Sequence, residues 1–418
     1  MSARAYPELL PKEHLSDALQ MLLAQSSTSE FLQRYFEREP LHIRRGDPAY
    51  FREIYDVAEI ESSIVAGALE HDKFCLIKSG AAQIAAEEMT LERHYQRARH
   101  TGRKPELVLD SRAILAHFTN GYTLVIKDAS LFSARLQKFV NRVQQRLGFY
   151  ALANVYFTPP KAQGFDVHHD THDTLVMQIE GKKTWRVYEP IVELPIETQP
   201  LSKEGLKQLK LAREIMLEPG DTLYVPRGFP HEAMTTADGR SLHVTLALCP
   251  MRVIDLLEAM IDLAAVTDVE LRRSLPFGWH ESKEFPAQFA ALLRDRLPKA
   301  LPAAHVAPAT SMVLRDLFAT TRVEAGGNFE ELERSQSLSP SSVVALRDDA
   351  PFMLRRTDAM LELLLAGKSV TFPVAYAPLF DRLQEGPLTL QQVDAILPRN
   401  VGQSLVKMLL LEGLVAVD

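Results

Sequence analysis

The feature that most constrains this chain is a change of hydrophobic period near Ala151. From there to Leu248, apolar and polar residues alternate in short runs, and Gly or Pro separates the runs. A period of two belongs to strands. Residues 154–157 are followed by the break Pro159-Pro160. Residues 174–179 and 184–188 flank Glu180-Gly181-Lys182-Lys183, which reads as a hairpin turn. Residues 215–217 lead into the turn Pro219-Gly220-Asp221, and 223–225 and 242–248 are further strands. Many short strands with this punctuation close into a jelly-roll barrel. Residues 193–213, which include several Lys and Leu, read as an insertion between two strands.

The rest of the chain has another rhythm. Helical spacing marks 15–24, 30–38, 60–69, 89–98 and 129–147, with a short strand at 41–43. These elements would support the barrel. Beyond Pro250, 254–266 and 286–297 read as helices, and 297–308, rich in Pro and Ala, reads as a linker. Three helices at 375–384, 389–397 and 401–412, followed by a strand at 413–417, look like a small winged-helix module. A length of 418 residues fits two or three domains at ~150 residues each.

Composition narrows the function classes. The net charge of −7 is mild for this size and gives no sign of a general nucleic-acid binder, while a basic protein partner is compatible with it. The C-terminal stretch from Leu379 to Asp418 carries only Arg382, Arg399 and Lys407 as basic residues, so phosphate attraction there would be weak. Cys75 and Cys249, the two cysteines, cannot form a disulfide framework or a Cys-rich zinc site. No apolar stretch approaches the ~20 residues of a membrane span, and the first residues lack the apolar core of a secretory leader. A cytoplasmic protein is expected.

The segment GFDVHHDTHDTLVMQIEGKKTWRVY, residues 164–188, places His168, His169, Asp170, His172 and Asp173 within six residues. Alone, such a cluster reads more readily as a polar surface turn than as a metal site. A second segment, LEPGDTLYVPRGFPHEAM, adds His231. On an extended strand, His168 and Asp170 share a face and His169 points away. His172 shares that face if the strand stays regular, but Asp173 is adjacent to it and cannot complete a second His-x-Asp pair. A later His from a neighbouring strand would be the third ligand. Two imidazoles and one carboxylate form the facial triad of non-haem Fe(II) oxygenases, with open positions for co-substrate and O₂. His168, Asp170 and His231 are therefore the expected metal ligands and catalytic centre. His243 and Thr245 share a face of a later strand.

The motif set resembles the JmjC hydroxylases, cupin-like 2-oxoglutarate oxygenases, and within them the ribosomal oxygenases. It reads Asn154-Val155-Tyr156, His168-His169-Asp170, Lys183-Thr184-Trp185-Arg186 and Pro219-Gly220-Asp221-Thr222-Leu223-Tyr224-Val225-Pro226, closing on His231. Phe31-Leu32-Gln33-Arg34-Tyr35-Phe36 with Glu39-Pro40-Leu41 is similar to that family's entry helix and strand. The resemblance implies an α+β protein with a double-stranded β-helix (jelly roll, cupin/JmjC) core and helical surround over 1–250, a helical dimerisation and linker region over 251–370, and a winged-helix module over 371–418. It implies Fe(II), 2-oxoglutarate and O₂ as cofactor and co-substrates. Lys183 would bind the far carboxylate of 2-oxoglutarate, with Lys182 as the competing choice, and Asn154, Tyr156 and Thr245 would assist. Trp185 is expected in core packing. The implied reaction is hydroxylation of a side chain of a protein, a basic ribosomal protein in particular, by a homodimer. N-methyl demethylation, oxidation of a small molecule or modified RNA, a Zn or Mn cupin isomerase and a non-enzymatic cupin are the competing readings. The spacing of Leu256, Leu257, Met260, Ile261 and Ala264 offers one helix face for the dimer contact.

Overall fold

A computed structural model describes residues 16–24, 28–67, 69–93, 106–321, 328–347 and 350–418. The chain divides into two compact units, Met1–Cys249 and Pro250–Asp418.

The first unit holds twelve strands among its described residues: β1 (Leu41–Ile43), β2 (Phe74–Ile77), β3 (Thr90–Arg93), β4 (Glu106–Leu109), β5 (Thr123–Ile126), β6 (Tyr150–Thr158), β7 (Asp173–Glu180), β8 (Lys183–Tyr188), β9 (Leu211–Leu217), β10 (Thr222–Val225), β11 (His231–Thr235) and β12 (Ser241–Cys249). Seven of them form one sheet in the order β1-β10-β7-β12-β6-β5-β2, and β11-β8-β9 form a second. The pairings within these two sheets are antiparallel.

Strand parity sorts the side chains of the large sheet. Ala153, Val155, Leu175, Met177, Val244 and Leu246 face outward into a core shared with Leu136, Phe139, Val140 and Val143 of the helix Ala134–Leu147. That helix starts on Ser133, whose side chain accepts from Leu136 N, and ends on Gly148 in the left-handed conformation. The opposite parity faces the small sheet. Val176, Leu223 and Val225 pack there on Trp185, Val187, Ile215 and Leu217. The central strands β7 and β12 are therefore buried on both faces.

Several expectations are corrected. The turn 180–183 is not a hairpin. Both edges of β7 are already taken by β10 and β12, so the chain crosses at Gly181 to the other sheet, where β8 pairs with β11 and β9. The helix expected over 89–98 does not form over its described part: Ala86–Met89 is one short turn, then β3 pairs with β4, while 94–98 lie outside the described residues. Met89 and Leu91 fit either period in so short a run. The helix expected over 129–147 is broken into a 3₁₀ turn at Ala129–Leu131 and the helix from Ala134. The insertion 193–213 ends inside β9.

The second unit opens with helices Val253–Thr267, Phe285–Ala300 and Val306–Thr320. The linker expected at 297–308 is instead the end of one helix, a 3₁₀ turn at Ala303–His305 and the start of the next. The helical region expected to reach 370 also contains strands: β13 (Val343–Leu346) and the meander β14 (Phe352–Arg356), β15 (Met360–Leu365) and β16 (Lys368–Pro373). Helices Ala377–Glu385, Leu390–Ile396 and Arg399–Leu411 follow. β17 (Leu388–Thr389) and β18 (Val415–Val417) flank β13 in a small sheet. One core joins these elements through Val344, Leu363, Phe380, Val393 and Leu409. Among the described residues, no helix is long and apolar enough to cross a membrane.

Candidate metal centre and co-substrate cavity

The cavity lies between the two sheets of the first unit. The large sheet contributes Asn154 and Tyr156 from β6, Thr174 from β7, and His243 and Thr245 from β12. The small sheet contributes Lys183 and Trp185 from β8 and His231 from β11. Registers explain the grouping: His243 lies opposite Tyr156, Thr245 opposite Asn154, and Trp185 opposite Ala233.

His168 and Asp170 sit on an irregular segment ahead of β7, not on the regular strand expected for them. One bridge places the segment: His168 and His231 pair antiparallel. Gly228 N then donates to the carbonyl of Asp170 at 3.1 Å, tying this segment to the turn that leads into β11. His168 Nε2 lies 3.9 Å from Asp170 Oδ1, and His231 Nε2 lies 3.6 Å from Asp170 Oδ2. One ligand atom from each of His168, Asp170 and His231 falls within 4.8 Å of the others.

The ring orientations fit a metal. His168 Nδ1 is 2.8 Å from the Asp166 carbonyl, and His231 Nδ1 is 3.0 Å from the Phe229 carbonyl. A carbonyl only accepts, so each Nδ1 carries the proton and each Nε2 keeps its lone pair. This is the arrangement by which metal-binding histidines are held in one tautomer. Burial pushes the His231 imidazolium down to about 4, helped by His168 beside it, so the ring is neutral at pH 7. Burial works to raise Asp170, but His231, His172 and His168 around it hold its carboxyl below the usual range. Thr174 Oγ1 donates to Asp170 Oδ2 at 2.9 Å and fixes that carboxylate.

The other two histidines of the cluster separate. His169 is buried away from the cavity, with Nε2 3.0 Å from the Gln199 carbonyl of the 193–213 segment. His172 lines the cavity, its Nδ1 3.3 Å from the Asp173 carbonyl.

The adjacent lysines also separate. Lys182 is exposed and pairs with Glu218 at 2.5 Å. Lys183 is 3 % exposed and lines the cavity, where Nζ donates to Thr158 Oγ1 at 3.1 Å. Burial alone lowers it from 10.5 to about 7. A buried ammonium with only a hydroxyl partner is a ready site for an anion. Asn154 spends Oδ1 on the Asp128 N–H at 3.0 Å, which leaves its amide N–H groups as donors. Tyr156 is stacked parallel on His243, with ring centroids 4.7 Å apart. Thr158 and Thr174 escaped the sequence reading. The motif resemblance picks out Asn154 and Tyr156, and Thr158 stands two residues further along the same strand. Nothing in the sequence marks Thr174.

Comparison with known proteins agrees with this construction. Residues 129–256 match the JmjC domain family. The chain is 32 % identical over 273 residues to ribosomal oxygenase 1 of Gallus gallus, covering 63 % of this chain and 43 % of that protein. It is 34 % identical over 269 residues to ribosomal oxygenase 1 of Homo sapiens, covering 61 % and 38 %. It is 31 % identical over 270 residues to the bifunctional lysine-specific demethylase and histidyl-hydroxylase NO66 of Drosophila persimilis, covering 62 % and 36 %. The chain thus matches less than half the length of these relatives. The ribosomal oxygenase YcfD of Escherichia coli shares the fold, with a TM-score of 0.54 at 16 % identity over 94 % of this chain and 98 % of that one. Fold and site together define a two-sheet, cupin-like protein whose residues 129–256 are similar to a JmjC domain. Within that class, the chain resembles the ribosomal oxygenases.

Proposed function

We propose that this protein is an Fe(II)- and 2-oxoglutarate-dependent oxygenase that hydroxylates a side chain of a ribosomal or other translation-related protein. The observation that carries this reading is the His168–Asp170–His231 donor set in the same cavity as the buried ammonium of Lys183. Bound iron would couple O₂ to the oxidative decarboxylation of 2-oxoglutarate, giving succinate, CO₂ and one oxygen atom for the substrate.

The chain's own residues do the rest. His168 and His231 present Nε2, and Asp170 presents its carboxylate steadied by Thr174. Lys183 neutralises the far carboxylate of the co-substrate, with Asn154, Tyr156 and Thr245 around it. The 193–213 segment, tied to His169 through Gln199, forms part of the rim that would meet the substrate.

The substrate class rests on the likeness to ribosomal oxygenases, with the net charge of −7 suiting a basic partner. It implies a cytoplasmic protein. Intact masses of ribosomal proteins from cells with and without the gene test it: one protein should gain one oxygen when the gene is present. Unchanged masses throughout, with no oxygen added in vitro, would remove the ribosomal assignment and leave the oxygenase. The demethylase in the name of the Drosophila relative motivates a second reading, and formaldehyde release from an N-methyl-lysine peptide would select it.

For the second unit we propose a homodimer contact on its first helices and a winged-helix module at 371–418 that binds protein, not nucleic acid. Part of the helix face expected at the interface is used inside the unit, because Met260 packs on Ala309. Val253, Ile254, Ile261, Val266, Leu292 and Leu297 remain exposed. Light scattering at micromolar concentration should give a dimer, and a monomer would rule the contact out.

A further inference from the structure

Lys183 is not the only buried polar group that lines the cavity. His243 and Trp185 line it as well, at 2 % and 5 % exposure. Among the described residues, neither His243 Nδ1 nor Trp185 Nε1 has a hydrogen-bond partner. Buried polar atoms without partners are rare in folded proteins and call for an explanation. The rings cannot easily turn elsewhere. His243 lies flat against Tyr156 on one side and meets Trp185 edge-on at 5.6 Å. Trp185 is packed in the small-sheet core with Val187 and Leu217.

These groups suit one kind of ligand. A carboxylate offers about four acceptor positions, and an ammonium that already gives one proton to Thr158 leaves room for further donors beside Asn154, Tyr156 and Thr245. We propose that His243 and Trp185 donate to the remote carboxylate of the co-substrate together with Lys183, completing a cradle to which Asn154, Tyr156 and Thr245 also belong. This rests on the oxygenase reading. Trp185 then has a binding role besides core packing, and His243 is a ligand-binding residue of the cavity.

The test uses the full chain loaded with Mn(II) and two probes. 2-Oxoglutarate reaches the cradle, whereas oxalate can chelate the metal but lacks the remote carboxylate. Affinities are measured by calorimetry for wild type, His243→Leu, His243→Gln, Trp185→Phe and Lys183→Ala. A hydrogen bond to a charged group sets the scale, so His243→Leu should weaken 2-oxoglutarate by about tenfold to a hundredfold, and Trp185→Phe by about tenfold. His243→Gln, which keeps a donor, should recover part of the loss. Oxalate affinity should stay at the wild-type value in all of them. The chain has two tryptophans, at positions 185 and 279, so a Trp279→Phe background isolates Trp185. Its emission should change with 2-oxoglutarate and not with oxalate. The cradle is wrong if His243→Leu and Trp185→Phe bind 2-oxoglutarate like wild type while Lys183→Ala does not. It is also wrong if both variants lose oxalate equally, because the rings then only shape the metal end. Wild type that binds oxalate but no 2-oxoglutarate would contradict the co-substrate reading itself.

Discussion

His168 and His231 exchange both backbone hydrogen bonds: His231 N donates to the His168 carbonyl at 2.8 Å and His168 N to the His231 carbonyl at 3.2 Å. Two residues far apart in sequence are thus registered by the main chain, independently of any metal. Their imidazoles stand with centroids 4.6 Å apart, and Asp170 reaches both. The donor set is preorganised, so binding a metal costs little rearrangement.

That preorganisation extends to Thr174, which holds one oxygen of Asp170. Thr174→Val keeps the shape and removes the donor. Co(II) affinity, read from its visible absorption, should fall roughly tenfold, in the range of lost partners to metal ligands. An unchanged affinity would mean that the Asp170 carboxylate does not need this bond.

Lys182 and Lys183 are neighbours in sequence and differ in surroundings. Lys183→Ala should raise the 2-oxoglutarate requirement by about two orders of magnitude, because the far carboxylate loses its buried partner. Lys182→Ala should do little, since Lys182 pairs with Glu218 at the surface. A larger effect from Lys182→Ala would place the wrong lysine in the cavity.

The same lysine makes co-substrate binding depend on pH. Without ligand it titrates near 7, and an adjacent carboxylate raises that value. Below about 7 it is protonated in both states, so affinity is flat. Above that, binding must take up a proton, and affinity should fall by up to about tenfold per pH unit. Lys183→Arg, if it still binds, should remove the slope. Stability has the matching sign. A lysine lowered from 10.5 to about 7 by burial destabilises the fold most below about pH 7, and the cost shrinks as pH rises towards 10.5. Lys183→Met should therefore stabilise the metal-free protein more at pH 6 than at pH 9. Equal thermal shifts at both pH values, or a flat affinity profile in wild type, would contradict this.

Much of the first unit is legible in its sequence because strand parity and motif spacing are local. Asn154, Tyr156, Lys183 and Thr245, which the motif resemblance picks out, all line the cavity. Sheet membership is less legible, since it depends on which strand edges are already occupied. The turn at Gly181 looks like a hairpin and is a crossing between sheets. The segment holding His168 and Asp170 is not a strand, because its main chain bonds to a turn and to one bridge. The strands at 343–373 were missed because runs such as Met360–Leu365 are short and apolar on nearly every position, which period analysis cannot sort.

Gly181 itself gives a stability test. Its φ is +68°, and an added Cβ would fall 1.9 Å from the Arg240 carbonyl oxygen. Gly181→Ala should destabilise the protein by roughly 2 kcal/mol or more, since strain and backbone overlap act together. A thermal melt that matches wild type would show that the crossing between β7 and β8 relaxes freely.

The most direct measurement is succinate formation. Purified protein with Fe(II), O₂ and 2-oxoglutarate, followed by proton NMR, should produce succinate at least slowly without a protein substrate. His168→Ala and Asp170→Ala should produce none while melting as folded proteins. Equal succinate from wild type and both variants, or none from the iron-loaded wild type even with ribosomal proteins added, would contradict the assignment of an Fe(II)- and 2-oxoglutarate-dependent oxygenase centred on His168, Asp170 and His231.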